Sequence, residues 1–344
     1  MIRFSSDYTE GAHPSILAAL AATNYEQNPG YGEDSHCAHA AELIRGACEC
    51  PQAAVHFLVG GTQTNAIVIA SILRPYQGAL CADTGHIHVH ETGAVEACGH
   101  KCLPLPGHNG KISASQVRKA CEVHHGDVNH EHIVQPGLVY ISHPTEYGTL
   151  YTLQELTELS EICREYGLSL FLDGARMGYG LAAEDTDVTL RDIARLCDAF
   201  YIGGTKVGAL FGEAVVITNP AFQKDFRYMM KRNGGMLAKG WLLGIQFETL
   251  FQSGLYFELG KNAVTHACRI RDAFRRKGIS FIMESSTNQQ FPILTNEQME
   301  KLSRDFVFSY WEKVDENHSA VRFCTSWATT KEQVDPLIQA IEAL

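Results

Sequence analysis

The sequence predicts an α/β protein: a large unit whose mostly parallel sheet is flanked by helices, followed by a small C-terminal α+β unit. Continuous apolar runs at 168–172 and 199–202 each stop abruptly at polar and glycine residues, as parallel strands buried on both faces do. Similar runs alternate with helically spaced segments through most of the chain, the rhythm of a sheet covered on both sides. Beyond residue 279 strands and helices alternate differently, which divides the chain into 1–245 and 246–344.

In order, residues 1–35 read as an entry arm with a helix near 14–22 and the loop Asn28-Pro29-Gly30-Tyr31-Gly32-Glu33-Asp34. Helical spacing over 36–46 leads to a first strand, 54–59, then Gly60-Gly61-Thr62-Gln63-Thr64-Asn65 and a helix over 66–73 that Pro75 stops. A short strand at 79–83 runs into His86, His88 and His90. The polar, histidine-rich stretch 101–136 holds one amphipathic helix near 114–124. A strand at 137–142 ends in His143-Pro144-Thr145-Glu146-Tyr147-Gly148. A helix over 153–166, stopped by Gly167, delivers the chain into the strand that ends at Asp173. After Lys206 come a turn, a strand to Ile217 and the basic loop Lys231-Arg232-Asn233-Gly234-Gly235-Met236. A helical stretch over 238–277, broken at Ser253-Gly254, crosses the boundary. Strands near 279–283, 291–294 and 320–325 and helices near 296–310 and 331–344 complete the C-terminal unit, with Arg322 on its last strand.

The 344 residues suffice for one large domain and a smaller one. A formal net charge of −11 argues against nucleic acid or an anionic membrane surface as partner. No apolar run is long enough to span a bilayer, and the first residues lack the apolar core of a secretory signal, so a cytoplasmic location is expected. Eleven cysteines, an odd number without small-domain spacing, read as reduced thiols. Neither Cys48-Glu49-Cys50 nor Cys98-Gly99-His100-Lys101-Cys102 has the paired spacing of a structural zinc site, so no metal is expected.

Ligands of open α/β sheets sit beyond the carboxyl ends of the strands. Asp173 and Lys206 therefore come to one rim, where a lysine Schiff base and an aspartate facing a pyridinium nitrogen would anchor pyridoxal phosphate. On spacing alone, a turn-capping Asp173 and a solvated Lys206 explain the same residues more simply. The turn at Gly61 and Thr62 opens a helix with free backbone N–H groups and a hydroxyl, a cradle for a single phosphate monoester. It is neither a Walker A nor a GxGxxG sequence, and by itself it also fits a plain strand–helix connection. His86 and His90 share a face if a helix starts there, and His86, His88 and His90 share one if the segment is extended. A metal ligand, a stacking ring and a hydrogen-bonded structural residue all remain open readings.

Taken together and in order, Tyr31-Gly32-Glu33-Asp34, Gly61-Thr62-Gln63-Thr64-Asn65, Asp173-Gly174-Ala175-Arg176 and Thr205-Lys206 resemble the low-specificity threonine aldolase and β-eliminating lyase family. The similarity runs from Ser6 to Arg322. It implies the aspartate-aminotransferase-like fold of pyridoxal phosphate enzymes. By resemblance, Lys206 would carry the cofactor, Asp173 would hold its ring nitrogen protonated, and His86 would stack on its face. Gly61, Thr62 and Thr205 would cradle its phosphate. Ser6, Arg176 and Arg322 would bind the substrate carboxylate, a task for which the guanidinium fork is suited.

The chain also departs from the family pattern. His143-Pro144-Thr145-Glu146-Tyr147-Gly148 stands where common members have Asn-Thr-His-Asn-Gly, so a histidine near the substrate hydroxyl is displaced or replaced, with His143 as a candidate. Leu237 stands where a basic residue is usual, leaving Lys231, Arg232 or Lys239 to substitute. The implied activity is retro-aldol cleavage of L-threonine or L-allo-threonine to glycine and an aldehyde. The alternative is β-elimination from another amino acid to pyruvate and ammonia. The resemblance further implies a homodimer or homotetramer with its sites at the interface, Tyr31 and 231–239 crossing over.

Overall fold

A computed structural model describes residues 1–344. Its seven-stranded sheet runs, edge to edge, Ala54–Leu58, Glu213–Ile217, Ala199–Gly203, Ser169–Asp173, Gln135–Ser142, Gln77–Ala82 and Lys101–Leu105. Only Glu213–Ile217 is antiparallel to its neighbours. Its amino end therefore lies at the edge where the other strands end.

Successive side chains point to opposite faces, and both faces are buried. Ile141, Leu170, Leu172, Phe200 and Ile202 join one core with the helices Ser35–Ala47, Leu153–Tyr166 and Trp241–Gln252. Tyr140, Phe171, Ala199, Tyr201 and Val215 join another with the helices Gly61–Ile72 and Phe226–Arg232. This two-sided burial is why the strands read as unbroken apolar runs.

The C-terminal unit is a four-stranded antiparallel sheet ordered Ser309–Lys313, His318–Cys324, Gln289–Thr295, Phe281–Met283. It packs on the helices Leu255–Arg276 and Lys331–Glu342 through Phe274, Leu294, Val321, Phe323, Val334 and Leu337.

Several expected boundaries differ. The helix expected over 296–310 ends at Ser303, and Phe306–Val307 and Ser309–Lys313 are strands. Aromatic and β-branched side chains there lose rotamer freedom in a helix, while Phe306 is drawn into the core. Lys101–Leu105 was hidden by Lys101, Pro104 and the polar stretch that follows; proline is tolerated because this strand is at the sheet edge. The helical stretch over 238–277 is two helices, Trp241–Gln252 and Leu255–Arg276, broken at Gly254, with φ +76°, where the sequence places the break. The first residues join the C-terminal layer rather than the large one. Ile2–Arg3 pairs in parallel with Phe306–Val307, and Phe4 packs between Phe306 and Phe323. No helix is long and apolar enough to cross a membrane.

Candidate active site

A cavity of about 340 Å³ opens at the carboxyl edge of the large sheet, within the range of roughly 300–1,000 Å³ common for small-molecule sites. Gly61, Thr62, His86, Asp173, Arg176, Thr205 and Lys206 all line it. They follow four different strand ends, so the topology gathers residues far apart in sequence.

Asp173 closes its strand and is buried. Its Oδ1 accepts from Tyr201 Oη at 2.5 Å and Ala175 N at 3.0 Å; its Oδ2 accepts from Tyr140 Oη at 2.6 Å and Asn65 Nδ2 at 3.0 Å. Burial alone would raise the carboxyl, but His86 and these donors hold it below the ordinary carboxylate range. Asp173 is thus a fixed anion. Gly174, next in the chain, passes so close to the neighbouring strand that a Cβ would meet Tyr201 O at 2.0 Å. Only glycine allows this turn.

Lys206 follows Ala199–Gly203 through a tight turn in which Gly204 N and Thr205 N both donate to Gly212 O, at 2.9 and 3.1 Å. Its ammonium has no hydrogen-bond or ion-pair partner within 4.0 Å. Burial and the nearby Arg176 lower its pKa, against the pull of Asp7, Asp173 and Glu213. An amine so placed has more of the neutral, nucleophilic form than a surface lysine.

His86 begins the turn His86–Val89, and its Nδ1 pairs with Glu91 Oε1 at 2.8 Å. Asn65 Nδ2 also reaches Glu91, at 2.7 Å, so one amide joins the Glu91 and Asp173 carboxylates. Burial would lower the His86 pKa, but Glu91 and Asp173 raise it. His90 lies alongside at 5.6 Å between ring centroids, as a helix start predicts.

The helix Gly61–Ile72 makes its first backbone bond from Thr64 N to Gly60 O, leaving the earlier N–H groups without helical partners. Gly61 is packed so that a Cβ would stand 3.0 Å from Tyr201 Oη. Thr205 Oγ1 lines the cavity but is engaged: it donates to Glu213 Oε1 and accepts from Gly212 N, each at 3.0 Å. Burial pushes Glu213 up to about 8, with Lys206 beside it pulling the other way.

Arg176 is held bidentately by the buried Asp7, at 2.7 and 3.0 Å, and its Nη1 keeps no protein partner. Asn288 Nδ2 also donates to Asp7, at 2.9 Å. Burial would raise Asp7, yet Arg176 and Lys206 bring it down to about 2. A depressed carboxyl stabilises the fold fully above its ordinary 3.8, and that contribution is lost as pH falls through about 2. Asp7→Asn is expected to cost about 3–5 kcal/mol at neutral pH, as loss of one partner of a buried pair does. Denaturant titrations at pH 7 and pH 3 check this: the variant should lie closest to the parent at the lower pH.

Three expected residues are not on the cavity wall. Ser6 and Arg322 lie where the first residues meet the C-terminal sheet. Arg322 donates to Gln289 Oε1 at 3.2 Å and Ser5 O at 3.0 Å, while its Nε and Ser6 Oγ are buried without partners. His143, expected near the substrate, is fully enclosed instead. Its Nδ1 accepts from Tyr151 N at 3.3 Å, its Nε2 has no partner, and burial lowers it to about 4. The chain turns at His143-Pro144 so that Glu146, not His143, reaches the cavity.

Glu91, Tyr140, Tyr201, Glu146 and Glu213 were not singled out from the sequence. Glu213, an acid opening an otherwise apolar five-residue strand, carried a signal. The tyrosines looked like ordinary strand residues.

The residues present fit pyridoxal phosphate: an unpartnered lysine, a fixed carboxylate, an imidazole and unpaired helix-terminal N–H groups share one cavity. Comparisons with known proteins agree. The sequence profile described as beta-eliminating lyase matches residues 3–295. A low-specificity L-threonine aldolase of a Pseudomonas species is 27% identical over 346 residues, covering 99% of this chain and 97% of that protein. The Escherichia coli K12 protein of that name is 25% identical over 246 residues, or 70% of each chain. The solved structure of the Leishmania major threonine aldolase superposes with a TM-score of 0.97 at 45% identity, covering 100% of this chain and 99% of that one. An aspartate aminotransferase of Thermus thermophilus, 12% identical with a TM-score of 0.72 and covering 100% of this chain and 91% of that one, shares the fold.

Proposed function

The chain belongs to the β-eliminating lyase family, and from that premise we propose that it cleaves L-threonine or L-allo-threonine to glycine and acetaldehyde. The observation that carries the reading is the convergence of the unpartnered Lys206, the fixed Asp173 anion and Arg176 in one cavity. Pyridoxal phosphate, when bound, supplies the electron sink that makes a bond to Cα breakable.

The chain's own residues do the rest. Lys206 Nζ holds the cofactor and is placed to return a proton to Cα. Asp173 keeps a proton on the ring nitrogen, because its four donors leave it charged. His86, oriented by Glu91 on the cavity wall, would help hold the cofactor ring. Gly61 N, Thr62 N and Thr62 Oγ1 receive the phosphate, with Thr205 beside them. Arg176 Nη1, which lines the cavity without a protein partner, would grip the substrate carboxylate, while Ser6 Oγ and Arg322 Nε lie sealed behind the cavity wall.

Apart from Lys206, Arg176 and the imidazole of His86, the cavity wall contains no basic residue. This supports a homodimer or homotetramer in which another copy supplies Lys231, Arg232 or Lys239 to the phosphate. Tyr31, half-exposed at φ +63° with Lys231 Nζ 4.6 Å from its ring centroid, belongs to the same crossing region. Eleven free thiols, nine of them buried, suit a reducing compartment, and the cytoplasm is the location proposed.

Adding L-threonine to the purified holoenzyme tests the reading. Glycine and acetaldehyde in equal amounts are expected, with a visible absorption change that borohydride traps on Lys206. Pyruvate and ammonia from another amino acid would instead establish the eliminating alternative, which the names of the relatives do not favour.

A further inference from the structure

Three carboxyl side chains line the cavity, and they differ in what their oxygens are doing. Both oxygens of Asp173 are engaged. Glu213 has one oxygen on Thr205 and the other sealed from solvent. Glu146 uses Oε1 twice, accepting from Ser142 Oγ at 2.7 Å and from His86 N at 2.9 Å. Its Oε2 has no partner and is not sealed. The carboxylate is therefore oriented at one oxygen and open at the other, and its bond to the His86 backbone ties it to the turn that carries the imidazole.

We propose that Glu146, through Oε2, is the catalytic group that takes the β-hydroxyl proton of the substrate. The inference rests on the aldolase reading and names the base that reading leaves open. The other candidates are spent. His143 is enclosed and faces away from the cavity. His86 is paired with Glu91, which favours its protonated form and leaves less of the neutral ring available to take a proton. Burial, with Asp173 nearby, raises the Glu146 pKa above that of a free carboxylate, which makes it a better proton acceptor.

The step balances without another reactant. As the hydroxyl proton moves to Oε2, the O–H pair becomes the carbonyl bond of the departing aldehyde. The Cα–Cβ bond breaks, and its pair stays with the Cα fragment until Lys206 or water protonates Cα to give glycine. Glu146 then returns its proton to solvent, so no net acid or base is consumed.

Glu146→Gln tests this, because an amide oxygen can keep both Oε1 contacts while the other arm no longer accepts a proton. The holoenzymes are compared in three measurements: acetaldehyde release from L-threonine, exchange of the glycine α-hydrogen in D2O followed by NMR, and glycine affinity from the visible absorption change. Glycine has no hydroxyl, so the last two need every part of the site except the base. Cleavage is expected to fall about 10²–10³-fold, with exchange and affinity held within about threefold. Cleavage that stays within about threefold of the parent overturns the proposal. So does a parallel loss in all three measurements, since Glu146 would then only hold the site's shape. A parent enzyme that exchanges glycine but releases no aldehyde from L-threonine would fail differently, overturning the aldolase reading and this role with it.

Discussion

Replacing Lys206 with alanine lowers threonine cleavage by more than the roughly 10²–10⁴-fold attached to loss of a general base. Lys206 is the only amine on the cavity wall, so no neighbour can take over cofactor attachment. The same substitution should abolish the borohydride-stable adduct seen by mass spectrometry of the intact chain. Its thermal stability should nonetheless match or exceed the parent's when both are measured without cofactor. The ammonium makes no hydrogen bond, and its removal relieves a positive charge crowded against Arg176. A variant that kept cleavage, or unfolded without cofactor, would contradict the role. The pairing of greatly reduced activity with intact stability is the signature of a residue placed for chemistry rather than for the fold.

Asp173→Asn carries the second-largest expected effect, with the opposite balance. Four donors converge on the two carboxylate oxygens. An amide offers one acceptor and turns an NH2 toward groups that also donate, leaving a buried donor unsatisfied at about 1–3 kcal/mol. Loss of the charge opposite the ring nitrogen should lower kcat on the order of 10²–10³-fold, as removal of a preorganised electrostatic partner does. Chemical denaturation and steady-state kinetics on the same preparation should show both losses together. The sign with pH follows from the depressed carboxyl: its stabilisation is complete above the ordinary 3.8 and fades below it, so the gap between parent and variant narrows in acid.

Much of the site was legible because the fold rule and the residues agree. Asp173, Gly61 and Lys206 each follow a buried apolar run, so locating the strands located them. His86 was legible only as one of three histidines, since its selection depends on Glu91 and on where the turn begins. His143, a candidate by resemblance, is enclosed because the chain turns inward there and presents its next acid to the cavity instead. Glu213 escaped the strand-end rule because its strand runs the other way. Ser6 and Arg322 depend on a contact spanning nearly the whole chain, which no local pattern encodes. The missed strands share that cause. Ile2–Arg3 pairs only because Phe306–Val307 is there, and Lys101–Leu105 pairs only through the distant Gly78–Ala82.

That contact between the two ends also sets an order of events during synthesis. The strands bearing Asp173 and Lys206 can emerge from the ribosome and associate while the last part of the chain is still untranslated. Asp7 emerges earlier still and its partner Arg176 soon after Asp173, yet two of the contacts that fix this segment come late: Asn288 Nδ2 donates to its carboxylate, and Cys324 N donates to Phe4 O at 2.7 Å. A nascent chain stalled before residue 288 would thus display the lysine and its aspartate on an assembled sheet while the substrate-carboxylate clamp remained unbuilt. Ile2 to Phe4 must wait, unpaired, for Phe306–Val307 and Cys324.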